Sequence, residues 1–226
     1  MKIIKPYARI MAEDLLDYSF HISDGINLLK KCEYAARVSH RSEDKITEDS
    51  YDKFLRFVVM EHGDFSVVEH ASVTVEAVVD RGITHEWVRH RLGAYTQEST
   101  RFVNYQKKGE LTFIDNSNIF NELANEACLI AYQTLEDVYN RMVQHDNIRP
   151  QEARAILPNG LASKIIVTYN LRMWRHFFLM RTSKETHQQF RQVTIPLLKE
   201  FQEKIPILYE DIIPESKQSD NLKKMR

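Results

Sequence analysis

An α+β fold is predicted by three features of the chain. Two short runs show strand periodicity, several longer runs show helix periodicity, and the two kinds do not alternate regularly. A doubly wound parallel sheet needs that alternation, so a single mixed domain of helices and sheet is expected instead. Residues 1–215 are read as this domain, and 216–226 as a polar, frayed tail.

In chain order, TEDSYDKFLRFVVMEHG (47–63) opens on Thr47 as a cap, carries acids in its first turn and stops at Gly63, which predicts a helix. ASVTVEAVVD (71–80) alternates, with Val73, Val75, Ala77 and Val79 on one side and Ser72, Thr74 and Glu76 on the other; this predicts a strand. From Gly82 the period changes, and THEWVRHR reads as a helix capped by Thr84, with Arg89, His90 and Arg91 on its later part. Phe120, Leu123, Ala127, Ala131, Leu135, Val138 and Met142 recur at three- and four-residue steps, marking a long amphipathic helix facing a core. Pro150 suits the first turn of a short helix carrying Arg154. KIIVTY (164–169) is a β-branched run of strand length, and Asn170 then caps a helix through LRMWRHFFLMR. HQQFRQVTIPLLKEFQEKI is helical too, with Pro196 expected to kink or divide it.

The 226 residues hold 31 Lys+Arg against 32 Asp+Glu, for a formal charge of −1. A broad nucleic-acid surface needs a basic excess, so anion recognition here must be local and no nucleic-acid partner is expected. Cys32 and Cys128 are too few for a disulfide framework or a cysteine zinc site, and both should pack as small hydrophobes. Residues 1–19 lack the apolar core and cleavage site of a signal peptide, and no run approaches the roughly 20 apolar residues that span a bilayer. A soluble, cytoplasmic protein without a membrane partner is expected. The 6 glycines form neither G-x-G-x-x-G nor G-x-x-x-x-G-K-[ST], which excludes a Rossmann or P-loop cradle.

Four features could carry chemistry. Arg181 lies seven, four and three residues beyond Trp174, Phe177 and Phe178, so its permanent charge projects from an apolar helix face and needs acceptors. A buried ion pair and a polar anchor in a ligand pocket both satisfy that need. Arg89, His90 and Arg91, if helical, point about 100° apart and cannot converge on one small anion; they form either a solvated patch or the wall of an extended ligand. Ser99, Thr100 and Arg101 offer hydroxyl, backbone N–H and guanidinium donors to an anion, and no G-x-S-x-G elbow makes Ser99 a nucleophile. The spacing of His62, Asp64, Glu69 and His70 matches no strong metal pattern, so no metal is assigned.

RHRLGAYTQESTR (89–101) resembles the signature of the flavin-dependent thymidylate synthases. AARVS (35–39), EHGDFSVVEH (61–70), RGITHEWVRHR (81–91), ARAILP (153–158) and the 170–181 block fall in that family's order and approximate spacing. The first signature serine is Ala94 here, Glu86 stands where some relatives carry glutamine, His176 where some carry asparagine, and Asp64 where some carry histidine. The resemblance implies an α+β homotetramer with active sites built by more than one subunit, bound FAD, and conversion of dUMP to dTMP. Methylenetetrahydrofolate would supply the carbon and NADPH the reducing equivalents, with tetrahydrofolate released. Ser39, Ser66, Arg89, His90, Arg91, Leu92, Gln97, Asn170 and His176 would contact the flavin. Glu86, Arg89, Gln97, Glu98, Ser99, Thr100, Arg101, Arg154 and Arg181 would hold dUMP, with Arg181 catalytic through the uracil N3 edge. Two other readings are a nucleic-acid-binding module and a family member that has lost turnover with the Ala94 replacement.

Overall fold

The structure is a computed structural model that describes residues 1–11 and 22–223. Residues 12–19 of the segment weighed above as a signal peptide, and 224–226 of the tail, lie outside the described residues. Along the chain, β1 (Lys2–Ile4) and β2 (Tyr7–Ile10) precede α1 (Ile22–Val38) and α2 (Ser50–Leu55). Strand β3 (Ser72–Asp80) runs directly into α3 (Arg81–Trp87), followed by β4 (Ala94–Gln97), α4 (Tyr105–Lys108) and β5 (Thr112–Ile114). The remainder holds α5 (Glu122–Gln144), α6 (Pro150–Ala153), β6 (Ala162–Asn170), α7 (Leu171–Arg181), α8 (Gln188–Lys204), α9 (Pro206–Tyr209) and α10 (Gln218–Lys223). β1 and β5 pair in parallel, with Ile3 opposite Phe113, while β2, β3, β6 and β4 lie in that order in a four-stranded sheet. The mixed helix-and-sheet class is the expected one.

The described residues form two compact units, neither continuous in sequence. The first comprises Met1–Tyr7, Ala77–Arg89 and Tyr95–Ile166. Its core gathers Tyr105, Leu111, Phe113, Tyr132, Tyr139, Ala153 and Leu161, with Phe113 and Tyr132 stacked at 4.1 Å. The second comprises Ala8–Glu76, His90–Ala94 and Val167 onward. Its core is aromatic: Trp174 lies 5.4 Å from Phe177, 5.6 Å from Phe178 and 5.2 Å from Phe201, all fully buried. Trp174 also donates from Nε1 to the Val73 carbonyl at 2.9 Å, so its one polar atom is satisfied.

Several elements depart from expectation for identifiable reasons. The 47–63 helix starts at Ser50, not after Thr47, and from Arg56 to Glu61 it widens into a π-helical stretch. There the His62 N–H reaches back five residues to Phe57, and Gly63, at φ 81°, ends it. In β3, Val73, Val75, Ala77 and Val79 are buried as expected, but Glu76 on the other side is buried as well. Arg9 neutralises it, with Nε at 3.1 Å and Nη2 at 2.7 Å from one carboxylate oxygen. Helix α3 is capped by Asp80, which accepts from the Ile83 N–H at 2.7 Å. Thr84 sits inside it, buried, and donates to the Arg81 carbonyl at 2.9 Å.

Helix α5 has the predicted period, but most of the expected stripe is not its buried face, although its last member, Met142, packs against the core. Tyr132, Glu136 and Tyr139 are buried against the core, whereas Leu123, Ile130 and Val138 are 79%, 64% and 41% exposed. Tyrosine, and a glutamate whose carboxylate accepts from the Leu111 N–H at 2.8 Å, serve as core residues that a count of apolar residues passes over. Pro196 lies inside an undivided α8, and the polar tail carries the short helix α10.

Candidate active site

The sequence-predicted residues divide between the two units. Glu86, Arg89, Gln97, Glu98, Ser99, Thr100, Arg101 and Arg154 belong to the first; Ser39, Ser66, His90, Arg91, Leu92, Asn170, His176 and Arg181 belong to the second. The basic triplet is itself split, because Arg89 closes one segment and His90 opens the next. It lies beyond the end of α3 at Trp87, so the helical spacing expected of it does not apply.

In the first unit, β4 and the turn after it carry most of the expected residues. The Gln97 amide donates to Thr84 Oγ1 at 2.9 Å and to Ser163 Oγ at 3.2 Å, which clamps its side chain between α3 and β6. The Glu98 N–H donates to the Lys164 carbonyl at 2.8 Å, while its carboxylate accepts from Tyr105 OH at 2.9 Å. Burial and that carboxylate both hold the Tyr105 phenol well above its ordinary range, so it remains a donor. Ser99 then turns the chain: its carbonyl accepts from Phe102 and Val103, and its hydroxyl accepts from the Arg101 N–H at 3.3 Å. Thr100 is buried, whereas Arg101 is exposed and reaches Gln151 of α6 at 3.4 Å. Arg154 is exposed at the end of α6. A hydroxyl and two guanidinium groups thus sit on short, cap-like turns, a donor set suited to a phosphate. Thr100 is the exception, directed into the fold.

In the second unit, α7 places the residues. Asn170 ends β6 and caps α7, its side-chain carbonyl accepting from the Met173 N–H at 2.8 Å. At the other end Arg181 is half-buried; its Nε donates to His90 Nε2 at 2.8 Å and its guanidinium lies 5.4 Å from the Phe190 ring. His176, one turn earlier, is held below the ordinary histidine range by burial first and by Arg181 second, so its ring is biased to the neutral form. Ser39 is exposed just after α1 and donates to the Ala36 carbonyl at 2.8 Å; Ser66 is exposed in the turn Phe65–His70. Arg91 and Leu92 are exposed, Leu92 by 76%. His90, His176 and Arg181 thus gather along α7, while Asn170 stands at the start of that helix.

Thr84, Ser163 and Gln151 orient site residues without any motif of their own. Arg175 also escapes the stripe argument: it is more buried than Arg181 and pairs with Asp211. Cys32 is fully buried, and burial pushes its thiol up to about 11, so it is not a nucleophile near neutrality. Among the described residues no group of three or more His, Cys, Asp and Glu could hold a metal ion, and no helix is long and apolar enough to cross a membrane.

The family model described as thymidylate synthase complementing protein matches residues 23–207. The chain is 33% identical over 215 residues to the flavin-dependent thymidylate synthase of Mycobacteroides abscessus, covering 87% of this chain and 83% of that one. It is 33% identical over 202 residues to the enzyme of the same name from Corynebacterium efficiens, covering 79% and 77%. The fold is similar to that of a UMP/dUMP methylase, PolB from Streptomyces cacaoi, whose crystal structure holds 5-Br dUMP; the TM-score is 0.73 at 20% identity, over 93% of this chain and 96% of that one. With a family match across most of its length and relatives at this identity, the chain belongs to the flavin-dependent thymidylate synthase family and is an enzyme of that methyltransferase kind.

Proposed function

We propose that this enzyme converts dUMP to dTMP, taking the carbon from methylenetetrahydrofolate and the reducing equivalents from NADPH through FAD, and releasing tetrahydrofolate. The observation that carries the reading is Arg181: a permanent cation at the end of a buried aromatic helix, with its Nε anchored on an imidazole. Such a guanidinium, set in a partly dry environment, stabilises negative charge developing on a pyrimidine at N3. Greater electron density at C5 then makes that carbon a better nucleophile toward the methylene group.

The other residues bind and orient. Ser99 and Arg101, with Arg154, suit the phosphate of dUMP; Gln97, clamped by two hydroxyls, suits the base with Glu86 and Arg89; Glu98 and Thr100 shape the turn. His90, Arg91, Leu92, Asn170 and His176, with Ser39 and Ser66, suit FAD, as do Arg89 and Gln97. FAD, when bound, supplies the hydride chemistry, and the protein supplies orientation and electrostatics. Burial of Cys32 agrees with a route that needs no cysteine nucleophile.

The exposed stripe of α5 suits one two-fold contact of the homotetramer we propose. Leu123, Ala127, Ile130, Thr134 and Val138 share one helix face, and an antiparallel copy would set Leu123 against Val138 about a centre at Ile130. The same pairing brings Glu122 of one helix toward Arg141 of its copy, at opposite ends of α5. The test of the function is an absorption spectrum of the purified protein followed by dTMP assay with dUMP, folate and NADPH. A yellow protein that forms dTMP is expected; a protein that takes up no flavin under any condition overturns the reading.

A further inference from the structure

We propose that His90 is a positioning residue for Arg181: its neutral imidazole, accepting at Nε2, aims the guanidinium that dUMP activation uses. The inference rests on the function proposed above.

The geometry is specific about the proton. Arg181 Nε donates to His90 Nε2 at 2.8 Å. A guanidinium has donors and no acceptor, so Nε2 must be the unprotonated nitrogen and the ring proton must sit on Nδ1. An imidazolium could not make this bond. Of the three residues that read as a cationic triplet, the middle one therefore acts as an acceptor.

The surroundings hold both partners. His90 is 9% exposed, with the Phe177 ring edge-on at 5.1 Å and the His176 ring at 5.9 Å. On the arginine side, Thr194 Oγ1 donates to the Arg181 carbonyl at 2.8 Å, and Phe190 lies under the guanidinium at 5.4 Å. Backbone, guanidinium face and Nε each have a support. Nε is the nitrogen at the base of the planar fork, so fixing it aims the terminal N–H groups as one rigid unit. Arginine has several rotatable bonds, and loss of the Nε anchor would let that fork swing.

The experiment compares His90→Gln with His90→Leu in the flavin-loaded enzyme. Glutamine places an oxygen acceptor near the position of Nε2, whereas leucine fills space without accepting. For His90→Leu, kcat per bound flavin should fall on the order of 10²-fold, the scale of a misplaced catalytic group, beyond whatever flavin the variant loses, and His90→Gln should recover most of it. The ¹⁵N shift of His90 in the wild type should show an unprotonated Nε2, a readout that general packing would not dictate. Equal losses in both variants, loss of flavin in step with activity, wild-type kcat in His90→Leu, or a protonated Nε2 would each overturn the proposal. A wild-type protein that forms no dTMP would remove the underlying reading, and this inference with it.

Discussion

Arg175 and Asp211 meet fork to fork, with Nη1 on one carboxylate oxygen and Nη2 on the other, both at 2.7 Å; Nη1 also donates to the Leu208 carbonyl at 2.6 Å. The bond ties α7 to the chain beyond α9, beneath a guanidinium that is almost fully buried. Removing one partner strands a buried charge, so Asp211→Ala should cost about 3 kcal/mol, the low end for a broken buried pair. Equilibrium denaturation measures it, and an unchanged midpoint would show that the pair contributes nothing net.

Gly93 sits where a side chain does not fit. A Cβ there would run into the Tyr169 ring and come within 2.9 Å of the Thr168 carbonyl. Gly93→Ala should destabilise the protein by about 1–3 kcal/mol, as overpacking does. Thermal melting checks this, and in a Tyr169→Ala background the same glycine substitution should cost less than it does in the wild type.

Asn170 has one role in the fold and a second that we propose. Its side-chain carbonyl caps α7, and its amide is available to the proposed flavin contact. Asn170→Ala should lose about 1 kcal/mol of stability through the missing cap. Asn170→Ser should keep the cap and yet bind flavin more weakly, as read by titration of the apoprotein. Equal flavin affinity in wild type and Asn170→Ser would remove the amide from the cofactor site.

His176 should make stability fall in mild acid. Its folded pKa is depressed by burial and by Arg181, so the unfolded chain binds the proton more readily. Stability from this residue is present above about pH 6.5, the unfolded value, and is lost as pH falls from there toward the depressed folded value. His176→Asn should flatten that part of the profile of melting temperature against pH. A slope unchanged by the substitution would assign the acid loss to other groups.

The exposed face of α5 makes a prediction about assembly. Ile130→Lys should shift the proposed tetramer toward smaller species in analytical ultracentrifugation while leaving monomer secondary structure intact. A sedimentation profile identical to wild type would place the interface elsewhere.

Much of the local structure is legible in particular residues. Asn170 announces α7, the alternating valines announce β3, and Pro150 opens α6, because capping, alternation and a fixed φ act over a few neighbouring residues. The start of α3 is expected at Thr84, yet Asp80 caps it, because it stands at the end of a strand where its carboxylate reaches the Ile83 N–H. The ordered motif blocks point to the family without any contact being known.

What the chain determines alone is therefore the set of elements, their caps and the chemical types gathered in its motifs. Tertiary structure decided which face of α5 is buried, that His90 accepts where its neighbours carry charge, that Thr84 and Ser163 clamp Gln97, and that Arg175 finds Asp211. Each depends on groups far apart in sequence meeting in a medium of low dielectric, where a polar atom must find a partner; no local pattern encodes which partner that will be.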